Sequence, residues 1–309
     1  MSDTTMTSTL QLPTAEGVNL FVRQWGPAGG KPKAAVLVVH GAAEHSGRYD
    51  RLARCLTDAG YAVYAPDQRG HGQTAGTLDK AGWAGPDGWN GMLHDLKALA
   101  DHIQTEHPGA PLFFLGHSMG SMLGQRYSQL WGDSLKGVIL SGTTGALPGV
   151  AEALPMVEAA AQGAGAAQPS VAFGQMFASF NTAFTPQKTG FEWLSRDEAE
   201  VQKYVDDPWS GFAFSNRLVA DFFKGALETW QPENEARIPK RLPVLIFAGA
   251  LDPVGGAGEG VRELARRYQA LGLQDVQMKL YPEGRHEMLN ETNRDEVQQD
   301  ILRWLDAHL

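Results

Sequence analysis

The sequence predicts an α/β fold, in which helices cover both faces of a mostly parallel β-sheet and a helical segment is inserted into the core. Short apolar runs, typical of strands buried on both faces, alternate with segments of helical periodicity. This alternation favours parallel strands joined by crossover helices. It stops near Gly145 and resumes near Pro239, which indicates an insertion between two halves of one core.

The elements follow in chain order. Val18 to Trp25 is predicted to be an early strand that pairs with Thr9 to Leu12 across a turn. The later strands are predicted at 34–40, 61–65, 111–115, 136–140, 243–247 and 276–281. The helices between them are predicted at 48–59, 91–106, 119–130, 256–271 and 294–309. Residues 1–144 and 236–309 should therefore form the core, and residues 145–235 a helical cap.

Four phenylalanines stand out in the predicted cap. Phe173, Phe177, Phe180 and Phe184 are spaced by four, three and four residues, so we expect them on one face of a helix that is N-capped by Ser170. Two interpretations remain open at this point. The stripe either packs the cap onto the core or forms a wall for an acyl chain.

The composition excludes several functional classes. Hydrophobic residues make up 43% of the chain, and the net charge is −9, which argues against nucleic-acid binding because phosphates require clustered Lys and Arg. No segment is long and apolar enough to span a bilayer. Met1 to Gly17 lacks the pattern of a signal peptide, so we expect a cytoplasmic protein. The single Cys55 predicts no intramolecular disulfide and is interpreted as a small buried hydrophobe.

One motif carries the chemistry. Gly116 to Gly120 matches G-x-S-x-G directly after a predicted strand and before a predicted helix. At such a turn the glycines allow strand and helix to approach closely, which leaves the hydroxyl of Ser118 exposed above the sheet. The helix N-terminus favours negative charge that develops there. Ser118 is therefore the predicted nucleophile.

A serine hydroxyl needs a base to accept its proton and a third group to orient that base. The expected chain order on this architecture is serine, acid, histidine. Of nine histidines, His286 alone follows the last strand in a flexible loop. Asp252 follows the preceding strand and is the predicted acid, whereas Glu259 and Glu287 are weaker substitutes.

The oxyanion of an ester-hydrolysis intermediate must be held by backbone N–H groups. One donor is expected from Met119, the residue after the nucleophile, and the other from the loop after the third strand. In that loop, the N–H of Ala42 is the predicted second donor. The sequence contains no metal-ligand cluster, phosphate loop or dinucleotide fingerprint, so neither a cofactor nor a metal is predicted.

Four motifs together resemble the monoacylglycerol lipase and lysophospholipase branch of the α/β hydrolases. They are His40 to Tyr49, Asp67 to Gln73, Gly116 to Gly120 and Gly284 to Glu287. The resemblance implies an eight-stranded, mainly parallel sheet with a cap, ester hydrolysis through an acyl-enzyme, and the same triad and oxyanion donors.

The resemblance further implies that Glu44, Arg48 and His117 line the polar end of the pocket. The alternative is that Glu44 and Arg48 form a structural ion pair beneath the loop. The chain departs from the family after the catalytic histidine, because Glu287 to Leu289 lacks a second histidine found in some glycerol-ester members.

We therefore predict a cofactor-free serine hydrolase acting on a small ester or lipid, with monoacylglycerols and lysophospholipids as the leading substrates. The same triad would also suit a short-chain carboxylesterase, a thioesterase, an aminopeptidase or a lyase. An aminopeptidase would need an acidic cluster for the substrate ammonium, for which Glu192, Asp197, Glu198 and Glu200 are available. A haloalkane dehalogenase would need aspartate at position 118. A non-catalytic binding protein is the remaining alternative, and the sequence does not predict an oligomeric state.

Overall fold

A computed structural model describes residues 5–14, 16–27 and 30–309. The absence of a signal peptide was predicted partly from residues 1–4 and 15, which lie outside the described residues. Within the described part of the chain, eight strands form one sheet in the order β1-β2-β4-β3-β5-β6-β7-β8. Their bounds are β1 Thr5–Pro13, β2 Asn19–Pro27, β3 Ala34–Val39, β4 Tyr61–Pro66, β5 Leu112–His117, β6 Gly137–Ser141, β7 Val244–Gly249 and β8 Val276–Tyr281.

Helices connect the strands and cover both faces of the sheet. The α-helices are α1 Asp50–Asp58, α2 Gly72–Ala75, α3 Gly88–Glu106, α4 Met119–Trp131, α5 Val150–Ala160, α6 Val171–Phe180, α7 Glu198–Asp206, α8 Asn216–Thr229, α9 Pro232–Glu235, α10 Glu259–Ala270 and α11 Arg294–Ala307. Short 3-10 helices occupy Ser46–Tyr49, Leu78–Lys80, Gly132–Ser134, Gly163–Gly165 and Met288–Asn290.

Strands β3 to β8 run parallel to one another. Strand β2 is antiparallel to both of its neighbours, β1 and β4. Every residue of β3, β4, β5, β6 and β7 is buried, because helices pack on both faces of these strands. The predicted fold class is thus confirmed. In a parallel sheet all strands end at the same edge, so the loops after β3, β5, β7 and β8 meet there.

The strand predictions agree with the structure to within one to three residues at most ends, and β1 extends further towards the N-terminus. Helix α6 differs from its prediction, because it ends at Phe180 and leaves Phe184 in the following turn. Ser170 occupies the N-cap position, but its side chain makes no capping hydrogen bond. The phenylalanine stripe is therefore helical over three of its four members.

We call residues 145–235 the cap region and retain its predicted boundaries, which stay a prediction. It contains helices α5 to α9 and no strand of the sheet among its described residues.

Cys55 lies half-buried on α1, and burial raises the pKa of its thiol. Over the described residues, no helix combines the length and the apolar character needed to cross a bilayer.

Two glycines within helices provide a test of this packing. In α8, a Cβ on Gly225 would lie 2.3 Å from the ring of Trp89 on α3. In α6, a Cβ on Gly174 would meet nothing within 4 Å. We expect Gly225→Ala to lower the free energy of unfolding by about 1–3 kcal/mol, because the two helices must move apart.

Gly174→Ala is the matched control. It should leave the free energy of unfolding unchanged or raise it by up to about 1 kcal/mol, because alanine is the better helix former. Urea denaturation followed by circular dichroism measures both variants. Equal stability of the two variants would contradict the predicted close contact between α3 and α8.

Candidate active site

Ser118 lies at the sharp turn between β5, which ends at His117, and α4, which begins at Met119. Its backbone has φ 52° and ψ −122°, a strained conformation for a residue with a side chain. The turn is fixed by hydrogen bonds from Ser118 N–H to the carbonyl of Ser141 (2.9 Å) and from Ser121 N–H to the carbonyl of Ser118 (2.9 Å). The hydroxyl-bearing side chain therefore projects from a rigid corner at the carboxyl edge of the sheet.

The two glycines of the motif are required by contact with backbone atoms. A Cβ on Gly116 would lie 2.3 Å from the carbonyl oxygen of Gly120. A Cβ on Gly120 would lie 2.3 Å from the carbonyl oxygen of Val39 and 2.5 Å from that of His40. Neither position could therefore hold a larger residue without separating the strands and the helix.

Asp252 and His286 form a buried pair in the loops after β7 and β8. Both carboxylate oxygens of Asp252 lie 3.0 Å from Nδ1 of His286, so the ring donates its Nδ1 proton to the carboxylate. Asp252 is fully buried and His286 is 2% exposed. One carboxylate oxygen also accepts the N–H of Val254 at 2.9 Å, which fixes the carboxylate in place.

Opposing effects act on the pKa of His286. Burial of the ring lowers it, but the charge and the hydrogen bond of Asp252 outweigh burial, so the pKa lies above the ordinary value. The neighbouring ring of His117 lies 4.7 Å from that of His286, centroid to centroid. Burial, and then the proximity of His286, lowers the pKa of His117 to about 4. His286 thus binds a proton more readily than the histidine beside it.

Among the described residues, no hydrogen bond joins the Ser118 hydroxyl to the His286 ring. Such bonds are often long in unliganded hydrolases and shorten when substrate binds. The structure thus joins Asp252 and His286 by hydrogen bonds. Ser118 directly follows His117, whose ring contacts that of His286.

The loop after β3 presents backbone donors beside Ser118. The N–H of Gly41 donates to Glu44 Oε1 (2.6 Å), and the N–H of Ala43 donates to Nε2 of His71 (3.2 Å). Between them, the N–H of Ala42 has no acceptor among the described residues, and the same holds for the N–H of Met119. The two predicted oxyanion donors are therefore unpaired and border the same pocket as Ser118.

His40 and His71 hold this loop in their neutral forms. His71 donates from Nδ1 to the carbonyl of Arg69 (2.9 Å) and accepts the Ala43 N–H at Nε2. Burial lowers the pKa of His71 to about 3 and also lowers that of His40. An uncharged ring can accept a backbone N–H, so the low pKa is consistent with the supporting contact.

Glu44 and Arg48 form a buried ion network with Glu287. Arg48 donates to Glu44 at 2.7 Å and to both carboxylate oxygens of Glu287 at 2.6 and 2.7 Å. Burial raises the pKa of Glu44, but the attraction of Arg48 dominates and the pKa falls to about 2. These residues and His117 line a narrow cavity separate from the Ser118 pocket. This arrangement favours the ion-pair alternative, and a direct substrate contact stays a prediction.

Ser118 lies in the wall of a narrow apolar pocket. Most of its wall comes from the cap region. The lining residues are Ala42, Ser118, Met119, Met122, Leu147, Phe173, Met176, Phe177, Phe180, Trp193, Phe222 and Val254. Three of the four stripe phenylalanines are among them, whereas Phe184 lies outside, against Arg285.

Trp193 is a site residue that sequence reasoning missed. Its ring lies 4.9 Å from that of His286 and packs edge-on against Phe177 at 5.6 Å. It lies in a turn rather than in a periodic helix, so no pattern in the sequence marks it. Among the described residues, no group of three or more His, Cys, Asp and Glu side chains could hold a metal ion.

Comparisons with known proteins agree on one family. Residues 30–293 match the model of the family described as "Serine aminopeptidase, S33". The chain is 28% identical over 297 residues to a monoacylglycerol lipase from Mycolicibacterium smegmatis, covering 95% of both proteins. It is 33% identical over 198 residues to the monoglyceride lipase of Mus musculus, covering 64% of this chain and 58% of the mouse protein.

A solved structure resembles almost the whole chain. A carboxyl esterase from Bacillus coagulans, solved in complex with glycerol, superposes with a TM-score of 0.90 at 31% identity, covering 97% of this chain and 98% of that one.

The pairing of Asp252 with His286 can be tested by measuring the pKa of His286 by NMR. Asp252→Asn should lower the pKa of His286 relative to the unmodified protein, because the negative charge that opposes burial is removed. In the unmodified protein, His286 should hold its proton to a pH above the ordinary 6.5 of histidine. His71, with a pKa of about 3, is the internal control and should show no titration near neutral pH. An unchanged His286 pKa would contradict the pairing.

Proposed function

The chain belongs to the serine aminopeptidase family of α/β hydrolases, in its monoacylglycerol lipase branch, and from this membership we propose that it hydrolyses neutral monoacyl esters of glycerol. It is a serine ester hydrolase, as its lipase and esterase relatives are by name. The observation that carries the proposal is the meeting of Ser118, two unpaired backbone donors and an apolar channel at one edge of the sheet.

The proposed reaction proceeds in two steps. Ser118 Oγ attacks the ester carbonyl while His286 Nε2 accepts its proton, and Asp252 stabilises the resulting imidazolium. The carbonyl oxygen becomes an oxyanion held by the N–H groups of Ala42 and Met119. His286 then protonates the departing alcohol, which leaves the acyl group on Ser118. A water molecule, deprotonated by His286, attacks this acyl-enzyme, and His286 returns the proton to Ser118 Oγ as the carboxylic acid leaves.

The pocket supports a monoacyl substrate. Its walls are almost entirely apolar, and Phe177, Phe180 and Met176 of α6 face a single narrow space beside Ser118. Burial of an apolar chain contributes about 0.8 kcal/mol per methylene, so a longer acyl chain should bind better until the space is filled. One channel of this kind suits one acyl chain.

The charge near Ser118 supports a neutral alcohol. A Cβ placed on Gly41 would lie 2.9 Å from Glu44 Oε1 and 3.0 Å from Ser118 Cβ, so the carboxylate of Glu44 lies close to the nucleophile. The network of Glu44, Arg48 and Glu287 carries two negative charges and one positive charge. A phosphate on the leaving group would be repelled, which favours glycerol over lysophospholipid head groups.

The contacts of the acidic cap residues do not favour aminopeptidase activity. Glu192 accepts hydrogen bonds from Asn181 and from backbone and side chain of Thr189, and Glu200 pairs with Arg51. Asp197 caps α7, and Glu198 is exposed. None of the four lines the Ser118 pocket, so none is available there for a substrate ammonium.

The first test concerns the nucleophile. Ser118→Ala should lower kcat for monoacylglycerol hydrolysis by roughly a million-fold, because the triad acts as a unit. It should also abolish covalent labelling by a fluorophosphonate probe. Ser128→Ala is the matched control, since Ser128 is a buried helix serine whose hydroxyl donates to the carbonyl of Gly124. Substantial hydrolysis by Ser118→Ala would refute the assignment.

The second test concerns the acyl channel. Phe177→Ala should lower the ratio of kcat/KM for a twelve-carbon ester to that for a four-carbon ester by roughly tenfold, because apolar wall area is lost. Phe184→Ala is the control from the same stripe, because Phe184 lies outside the pocket. A panel of glycerol monoesters that differ only in acyl length measures both ratios. Equal changes in the two variants would contradict the assigned channel.

A further inference from the structure

We propose that the cap region is a positioning part of the catalytic apparatus, because two of its segments hold the loops that carry His286 and Ala42. The proposal rests on the proposed function of these residues. It assigns to residues 192–196 and 204–211 a role beyond forming the pocket wall. The contacts that carry it are hydrogen bonds between these segments and the two loops.

The first segment binds the histidine loop through the main chain. The N–H of His286 donates to the carbonyl of Trp193 at 3.2 Å, and the N–H of Glu287 donates to the carbonyl of Leu194 at 2.7 Å. The Arg285 guanidinium donates to the carbonyl of Glu192 at 2.6 Å. The backbone of the catalytic histidine is thus paired with the cap region, so a shift of the segment would carry the imidazole with it.

Glu291 completes this first junction. Its side chain is fully buried, and its Oε1 accepts the N–H of Arg285 at 3.0 Å and the N–H of Arg196 at 3.1 Å. Its Oε2 accepts Nε of Arg196 at 2.9 Å and the N–H of Thr292 at 2.8 Å. One carboxylate therefore joins the residue before His286 to the cap region. Multiple donors of this kind compensate the cost of burying its charge.

The second segment binds the oxyanion loop. The carbonyl of Ala43 accepts the hydroxyl of Tyr204 at 3.1 Å and the N–H of Gly211 at 2.9 Å. Two residues further along, Nε2 of His45 lies 2.6 Å from Asp207 Oδ2. Ala43 has a φ of 54°, a left-handed conformation that is unfavourable for alanine and needs support from its surroundings.

The support matters because the Ala43 conformation sets the direction of the loop that carries Ala42. The core holds one side of this loop through the bond from the N–H of Ala43 to His71. The cap region holds the other side through Tyr204 and Gly211. Loosening either hold should misplace a donor that must lie about 3 Å from the oxyanion. The expected loss is therefore in transition-state stabilisation rather than in substrate binding.

The test uses one variant for each junction. Tyr204→Phe removes only the hydroxyl that reaches Ala43, and Glu291→Gln weakens the junction at the histidine loop. Each should lower kcat for p-nitrophenyl butyrate about tenfold while KM changes less than twofold. Affinity for an alkyl boronic acid, which forms a tetrahedral adduct with the nucleophile, should fall by the same factor as kcat. Affinity for an unreactive ether analogue of the substrate should stay constant.

Matched controls remove equivalent buried groups elsewhere. Tyr61→Phe deletes a hydroxyl that donates to Asp306, and Glu235→Gln alters a buried carboxylate that pairs with Arg267. Both controls should keep kcat within twofold. Rates are normalised to the folded protein by circular dichroism. If Glu291→Gln fails to fold, Arg196→Gln tests the same junction from the cap side, where the side chain is partly exposed.

The outcomes separate the two proposals. Unchanged kcat in Tyr204→Phe and in the folded Glu291 or Arg196 variant overturns the positioning role, even if their melting temperatures fall. Parallel losses in kcat and in boronic-acid affinity support it. The p-nitrophenyl ester requires only the nucleophile and its base, so failure of the unmodified protein to hydrolyse glycerol monoesters would reject the substrate class and leave this test valid.

Discussion

The arrangement of the site depends on how closely the backbone packs around Ser118. A Cβ on Gly120 would lie within 2.5 Å of the carbonyl oxygens of Val39 and His40. A Cβ on Gly116 would lie 2.3 Å from the carbonyl oxygen of Gly120. The turn after β5 therefore packs directly against the end of β3. It places the N–H groups of Met119 and Ala42 beside one hydroxyl. Because these are backbone groups, they are positioned before substrate binds, as the proposed oxyanion site requires.

A second constraint follows from the burial of the charged groups behind this turn. Asp252, Glu44 and Glu291 are almost completely buried, and each accepts several hydrogen bonds. A buried carboxylate without such partners would cost several kcal/mol, so each one fixes the segments that donate to it. Glu44 fixes the oxyanion loop, Asp252 fixes the imidazole, and Glu291 fixes the loop that bears it. The same bonds that compensate burial therefore determine the geometry of the proposed site.

The sequence predicted most of the core because its signals are local. Apolar runs located the strands from β3 to β7, and the placement of G-x-S-x-G between β5 and α4 identified Ser118 without any long-range information. Chain order and strand ends then selected Asp252 and His286, which the structure joins by hydrogen bonds. The loop sequence alone predicted Ala42 as an oxyanion donor, and the structure leaves its N–H unpaired.

The features that the sequence did not predict depend on contacts between distant residues. Trp193 and Glu291 lie in irregular segments and Tyr204 in the short helix α7, and each bonds to a residue 93 to 161 positions away in the chain. The end of α6 at Phe180 likewise divides a regular spacing that continues in the sequence to Phe184. Phe184 lies beyond the end of the helix, and its ring contacts Arg285, the residue before His286. Three members of one aromatic run thus line the pocket beside Ser118 and the fourth contacts Arg285, a difference that periodicity alone does not predict.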